Sequence, residues 1–445
     1  MKPSPAVLRT ARRRYVVVTL LFWLPIGLGF GTAVLLFTER GLGLAAVAAC
    51  FAAHSVTAAV LELPTGGLSD VLGRRPVLAA AGLLNTAALT LQAVVASPAM
   101  LAVSMALMGA GRALSSGPAE AWYVDTVQAH GGPEADLRTG LAHGGTAASV
   151  GLGAGSLVGG TLPLLIGLGP DLGSWLARVT GGAVVPMSVP RLTGAAVAVV
   201  FVLYVLSALR EPPRAPSTLR GVLRGVPATV LDGVRLGARE VTVRRVLLSA
   251  AAAGVGLAAM ELLLPVRAAG VTGALESGAL AYSLVGCAGF ALAGCGSALA
   301  PLTARWTRSG ERAVLAGLGV SACGLVLLGV TALSVSPLAI GVALVGYGLF
   351  YLGLGSAGPN ENELLHRRVT SAQRATALSV QSLALQVTAG LSGIVLGAVP
   401  AGAGPWLLAG AAVLCGALLW VRRPMAVSVA QPEGKGGEAV VQTRG

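Results

Sequence analysis

Charged side chains are scarce in this chain of 445 residues: they make up 11% of it, against 55% hydrophobic. A water-soluble domain carries roughly 25% charged residues. The chain therefore has too little polar surface for a water-facing body of its size, which excludes a cytosolic enzyme, a disordered chain and a secreted disulfide scaffold. Lysine is nearly absent, occurring at Lys2 and Lys435. The five cysteines, Cys50, Cys287, Cys295, Cys323 and Cys415, all sit in apolar stretches, so no extracellular disulfide framework is implied. There is no Gly-x4-Gly-Lys phosphate loop, no His-Glu-x-x-His zinc site, no nucleophile elbow and no paired-carboxylate signature. Those absences exclude direct drive by ATP, argue against a membrane enzyme and imply no cofactor or metal.

What the chain does have is hydrophobic length, with a mean hydropathy of +0.79. A helix crossing the hydrocarbon core needs about 20 mostly apolar residues. Runs of that kind cover 15–37, 43–64, 76–97, 99–122, 143–167, 192–209, 246–265, 277–299, 312–334, 336–358, 375–398 and 405–421. Arg12, Arg13 and Arg14 precede the first run as they would a signal peptide, but the run is long and eleven more follow, so it reads as a membrane helix. The expectation is an all-α integral membrane protein with twelve transmembrane helices.

The net charge of +13 does not point to nucleic acid, because the bases cluster between apolar runs, as at an anionic membrane face. With the N-terminus inside, 26 of the 31 Lys and Arg residues fall on the inner side. Arg40, Arg178, Arg191 and Arg267 fall outside, and Arg112 lies within a span. This bias predicts a multi-pass protein of the cell membrane with both termini cytoplasmic. The resulting division is a tail at 1–14, a six-helix half at 15–209, a basic cytoplasmic linker at 210–245, a second half at 246–423 and a disordered tail at 424–445.

The two halves repeat. Gly27-Leu28-Gly29 and Arg40 recur as Gly254-Val255-Gly256 and Arg267, at a shift of 227. Gly117-Pro118-Ala119-Glu120 recurs as Gly358-Pro359-Asn360-Glu361 at a shift of 241, and Gly155 and Gly159 as Gly393 and Gly397 at 238. Six spans per half preserve orientation, so the repeats are parallel and a substrate site is expected between them near mid-membrane.

Between spans two and three the chain reads Gly66-Gly67-Leu68-Ser69-Asp70-Val71-Leu72-Gly73-Arg74-Arg75-Pro76. The glycines permit a tight connection, Pro76 suits a first helical turn, and Arg74 can pair with a carboxylate such as Asp125. This stretch resembles the signature loop of the major facilitator superfamily: glycine, any residue, leucine, a small residue, aspartate, two of any kind, glycine, arginine and a base. The resemblance implies that Gly66, Gly67, Asp70, Gly73, Arg74, Arg75 and Asp125 form a latch between alternating states. Leu302, Arg305, Gly310 and Arg312 make a worn second copy, with Ala304 where the aspartate would stand. In span five, Gly151, Gly155, Gly159 and Gly160 resemble the antiporter motif of the family's exporters, with Ser156 in place of its proline. The same spacing also serves tight helix packing. Arg112 resembles the family's fourth-helix arginine.

An ionisable residue inside a span costs about 2.5–3.5 kcal/mol, so each one needs a reason. Glu261 stands in Ala258-Ala259-Met260-Glu261-Leu262, where the first-half equivalent is Val34. It is either the coupling proton's carrier or an outer-end carboxylate paired with Arg267. His54 either titrates or is hydrogen-bonded to a neighbour. Glu62 and Glu120 suit pairing with Arg74 or Arg75. Glu361 and Glu363, with Arg374, suggest an inner gate, while Asn85, Gln92, Gln381 and Gln386 either line a pore or bridge helices. The family resemblance implies a secondary active transporter that takes a small-molecule substrate and protons in a lipid bilayer, functioning as a monomer. Efflux of small, partly hydrophobic molecules by proton antiport is the first expectation. A proton-linked importer, a membrane enzyme and a transport-inactive receptor are the alternatives.

Topology is directly testable. A single cysteine at position 173, replacing Gly173, should react with an impermeant maleimide added outside intact cells, and one replacing Ser217 should not. The reverse pattern would invert every placement above.

Overall fold

The computed structural model describes residues 5–132, 135–168, 172–211, 235, 237–369 and 371–421, with backbone alone for residues 5, 63, 64, 66, 67, 70 and 371–376. Most of the expected linker and the C-terminal tail lie outside these residues. The described chain is helical throughout, with no strand. Eleven helices are long and apolar enough to cross a membrane, and a shorter one, Ala403–Leu418, follows them.

The first half comprises α1 (Pro5–Phe30), α2 (Ala33–Glu39), α3 (Leu44–Leu72), α4 (Arg74–Val94), α5 (Pro98–Ser115), α6 (Pro118–Gly131), α7 (Arg138–Leu168), α8 (Leu172–Val179) and α9 (Val189–Ala208). The second comprises α10 (Val241–Thr272), α11 (Leu275–Thr307), α12 (Gly310–Val330), α13 (Pro337–His366), α14 (Ser371–Ala398) and α15 (Ala403–Leu418). Several helices outrun the expected spans. α3 continues to Leu72 and α10 starts at Val241, because hydropathy marks only the hydrocarbon segment whereas hydrogen bonding carries a helix beyond it.

Two spans are broken. The fourth divides into α5 and α6 at Gly117, whose φ of 94° is left-handed and whose successor Pro118 opens the next helix. Its repeat equivalent, Gly358-Pro359, stays inside the continuous helix α13. The first span divides into α1 and α2 around Gly31, where any side chain would collide with Ser283 of α11.

The halves share one packing plan. In the first, α1 lies on α7 and α9, α3 on α5, and α4 on α5 and α9. In the second, α10 lies on α14 and α15, α11 on α13, and α12 on α13 and α15. The repeat extends to single residues. Arg40 donates from Nη2 to the carbonyl of Ala93 (3.0 Å), at the end of α4, and to Ser188 Oγ (3.2 Å). Arg267 donates from Nη1 to the carbonyl of Leu328 (2.9 Å) and from Nη2 to that of Thr331 (2.7 Å), at the end of α12. Each arginine thus meets the exposed carbonyls of the equivalent helix C-terminus, where a cation is favoured. They are built-in caps rather than loop charges.

One register needs correcting. Gly27 packs on the carbonyl of Leu152 and Gly254 on that of Leu385, which relates α7 to α14 by a shift of 233. The structural partner of Gly393 is therefore Gly160, and both face the other half: Gly160 meets Ala279, and Gly393 meets Ala48. Gly155 and Gly159 instead face α1 of their own half, so their match to Gly393 and Gly397 in sequence is not a structural one.

The halves meet through α3 on α14 and α7 on α11. Gly390 fits against Ala52, Gly393 against Ala48 and Gly397 against Leu44 and Ala45, a descending series towards the end that carries residues 40–43. At that end one core joins Val34, Phe37 and Met105 of the first half to Met260, Leu264 and Tyr282 of the second. Towards the opposite, basic end, Tyr15, Phe22, Trp122 and Phe201 form a separate core belonging to the first half alone. The halves are fused at one end and hold separate cores at the other.

The glycine contacts predict unequal costs. In α7, a Cβ at position 159 would stand 2.9 Å from Leu28 Cα, against backbone that cannot move aside, whereas one at 145 would meet open space. Gly159→Ala should therefore lose stability by about 1–3 kcal/mol, the usual cost of overpacking, and Gly145→Ala should not. Equal thermal midpoints for the two purified variants would contradict this packing.

Candidate functional site

The polar side chains inside the bundle form two groups on either side of the interface between the halves. In the first half, the Arg112 guanidinium lies 5.0 Å from the ring centre of Trp23, a cation–π distance. Glu62 of α3 acts on Arg112 electrostatically. Gln386 of α14 donates from Nε2 to Glu62 Oε2 at 3.5 Å, reaching across from the second half. His54 stands where α3 crosses α5: Gly109 packs against its backbone, and the charge of Arg112 acts on its ring. The expected pairing of Glu62 with Arg74 or Arg75 does not occur, because α3 runs ten residues past Glu62 before the connection.

The second group centres on Glu261. Its neighbours Met260 and Leu262 are buried, whereas Glu261 itself is exposed. Tyr282 of α11 and Tyr351 of α13 lie within its electrostatic reach. The Tyr351 ring is 4.8 Å from that of Tyr347, and Phe30 of α1 stacks on Tyr282 at 5.5 Å. The Arg267 alternative fails, since its guanidinium is taken up by Leu328 and Thr331.

The signature stretch forms the end of α3, the turn at Gly73 (φ 106°) and the start of α4. Arg74 Nη1 donates to Asp125 Oδ2 of α6, bringing those two expected residues together. Arg75 donates from its backbone N–H to Glu211 Oε1 (2.6 Å) and from Nη2 to the carbonyl of Leu206. The backbone of Gly66, Gly67 and Asp70 is helical; the Asp70 side chain lies outside the described residues.

Of the expected inner-gate residues, Glu361 and Glu363 have different surroundings. Glu361 is 6% exposed and accepts a hydrogen bond from Ser249 Oγ of α10 at 2.5 Å. Glu363, two residues on, points to the surface and pairs with Arg367 one helical turn later. A helix sends residues i and i+2 to different faces, and the two acids have separate partners among the described residues; the Arg374 side chain lies outside them.

Gly151, Gly155 and Gly159 bring α7 against the backbone of α1, while Ser156 is fully buried with no partner for its Oγ. Arg191, expected in an outer loop, is buried within α9 at 3% exposure, its guanidinium occupying the space left by Gly29. Sequence reasoning missed Tyr282, Tyr347 and Tyr351. Three of the six tyrosines in the chain converge here from positions far apart in sequence, and their only local signal is a hydroxyl inside an apolar span. Among the described residues no group of His, Cys, Asp and Glu could hold a metal ion.

Two six-helix repeats of one packing plan, joined through α3 on α14 and α7 on α11, make the architecture of a multi-pass membrane protein. A family profile described as Major Facilitator Superfamily matches residues 15–393, and the chain belongs to that family. Among curated protein sequences none matches it. Similar solved structures include a D-xylose–proton symporter, with a TM-score of 0.70 and 18% identity, covering 93% of this chain and 97% of the other. A bacterial homologue of the human lysosomal transporter Spinster, inward-facing and unoccupied, has a TM-score of 0.70 and 16% identity, covering 94% and 95%. The nucleoside transporter NupG has a TM-score of 0.68 and 13% identity, covering 92% and 98%.

The Arg74–Asp125 pair ties α4 to α6, with side-chain exposures of 12% and 37%. A double-mutant cycle of Arg74→Ala and Asp125→Ala should give a coupling of about 1 kcal/mol in denaturation of the purified protein. Strict additivity would mean that the pair holds nothing.

Proposed function

We propose that this protein is a secondary active transporter that exports small, partly hydrophobic molecules in exchange for protons by alternating access. Both termini are cytoplasmic in this reading, and the basic end, where the halves hold separate cores, is the open, cytoplasmic side. The observation that carries the reading is Glu261: a carboxylate in an apolar helix with no basic partner among the described residues, on the helix that leads the second half. Such a group can take up a proton from one side and release it when the cavity reopens to the other. Asp70, Arg74 and Asp125 would act as the latch, since the Arg74–Asp125 pair joins helices at the basic end. Arg112, held by Trp23 and Glu62, and His54 line the opposite wall.

Proton-linked import is the second reading. It is favoured by the D-xylose–proton symporter among the similar structures and by Ser156 standing in place of the exporter motif's proline.

The test is transport in inside-out vesicles with an imposed pH gradient, using a panel of labelled amphipathic amines, sugars and nucleosides. Acid-inside vesicles should accumulate a substrate uphill, and accumulation should collapse when an ionophore dissipates the gradient. Glu261→Gln should abolish that accumulation with an unchanged thermal midpoint. Full gradient-driven accumulation by this variant would make Glu261 structural and leave His54 as the next candidate. Accumulation only under the opposite gradient would favour import.

A further inference from the structure

At the end that carries residues 40–43, the first half gathers positive charge with nothing to balance it. Arg191 stands in the first turn of α9 and is 3% exposed. Among the described residues it makes no ion pair, and its buried Nε has no hydrogen-bond partner. Side chains on a helix lean towards its N-terminus, so the guanidinium is carried back to the turn that opens α9, where it lies against Gly29 of α1. Ser188, the N-cap there, makes no side-chain bond to the first helical N–H groups. Its Oγ accepts instead from Arg40 Nη2 at 3.2 Å. Arg40 also holds the carbonyls of Ala93 and Gly182, yet its Nε too is buried and unpaired.

The second half shows that the fold does not need this charge. Gly256, the repeat equivalent of Gly29, meets Val413 where Gly29 meets Arg191. Gly194 packs on Pro25 as Gly416 packs on Ala252, which relates α9 to α15 by the same shift of 222. A buried valine thus closes the equivalent crossing, whereas an arginine there carries a desolvation cost that packing does not offset. No acid offsets it either: Glu39, beside Arg40, is exposed and pairs with neither arginine. Leu89 of α4 packs on Gly194, so Gln92, one turn further along α4, stands level with Arg191. Gln92 is fully buried and its Oε1 is unpaired, but an amide is neutral and cannot balance a guanidinium.

We propose that Arg191, Arg40 and the N-terminus of α9 form a site for a small inorganic monoanion of the chloride class. Two guanidinium groups with an unpaired Nε each, and a helix end whose N–H groups lack a side-chain cap, favour negative charge at one turn. Met187, Ser188 and Gln92 around that turn are fully buried, which suits a monatomic ion rather than a phosphate or an organic carboxylate. Gly182, held by Arg40, is exposed, so the ion has a short way to water. The site lies within the first half, apart from the contacts of α3 on α14 and α7 on α11, and does not depend on the transport reading. It adjoins the break between α1 and α2, because Gly29 stands in the last turn of α1. Occupancy by the ion therefore helps to fix that break.

The experiment is a chloride titration of the purified full-length protein in lipid nanodiscs, with gluconate as the replacing anion at fixed pH and ionic strength. It is read by equilibrium binding of radiolabelled chloride and by the thermal midpoint. Wild-type protein should bind about one chloride per chain saturably, and its midpoint should rise by about 2–5 °C across the titration. Arg191→Met should bind none, and its midpoint should ignore chloride. In gluconate alone this variant should be at least as stable as wild type, since it removes a buried charge without a partner. Arg191→Lys keeps the charge but loses the Nε donor, and should weaken binding about tenfold. Arg178→Gln, at an exposed arginine of the same end, should bind as wild type does. Saturable chloride binding that survives Arg191→Met overturns the site. So does a wild-type midpoint equal in chloride and gluconate, a result that needs no variant and would leave Arg191 to neutral acceptors such as Gln92.

Discussion

A charge carried into hydrocarbon must find a partner or water, because the low dielectric multiplies its energy and removes the solvent that would dissipate it. Much of this bundle can be understood as the solution of that problem, charge by charge. Arg40 and Arg267 meet helix C-terminal carbonyls. Arg112 meets an indole face and Glu62. Arg74 meets Asp125, and Glu361 meets a serine hydroxyl on the helix it packs against. Each arrangement also ties two helices together, so satisfying the charge and holding the fold are one act. Two charges stand outside the pattern: Glu261, for which no partner is seen among the described residues, and Arg191, buried beside Gly29.

Between the charges, close packing does the remaining work. Lipid tails are as apolar as leucine, so helices in a membrane associate through van der Waals contact and need small residues where backbones approach. α7 shows how one helix serves two partners. Gly151, Gly155 and Gly159 seat it on α1 within its half, and Gly160, a step around the helix, seats it on α11 of the other half. The exporter-like motif and the packing stripe are thus the same residues. An inter-half contact made largely of small groups, such as Gly393 against Ala48, has little side-chain interlock to undo and suits surfaces that must part and rejoin.

The fold was legible in the sequence because its signal is coarse: apolar length, the bias of arginine between spans, and a signature loop with Asp70 and Arg74 in place. The breaks after Phe30 and at Gly117 were not legible, since a single glycine interrupts a helix without changing its hydropathy. Register failed for a related reason. With 63 glycines in the chain, spacing alone matched Gly155 to Gly393, and only the facing partners show that Gly160 is the equivalent. Of the site, Glu261, Arg112 and His54 could be singled out as polar residues in apolar runs. Their partners could not, because Trp23 with Arg112, or Tyr282 and Tyr351 with Glu261, are brought together by tertiary packing across distant stretches of chain. The separate partners of Glu361 and Glu363 were not legible either, because residues two apart in sequence leave a helix on different faces.

The repeat itself separates scaffold from function. Residues that recur in both halves, Gly27 with Gly254 and Arg40 with Arg267, make the same contacts in each half. They hold a helix crossing or close a helix end, needs that any six-helix unit of this plan has twice. Residues without a counterpart are where the halves differ in purpose. Val34, the equivalent of Glu261, is buried at 3% exposure in the core that fuses the halves. The first half thus presents a dry surface where the second presents an acid. In the proposed reading, a proton taken up by Glu261 changes the charge of the second half alone, and that asymmetry would couple its protonation to the relative setting of the two halves.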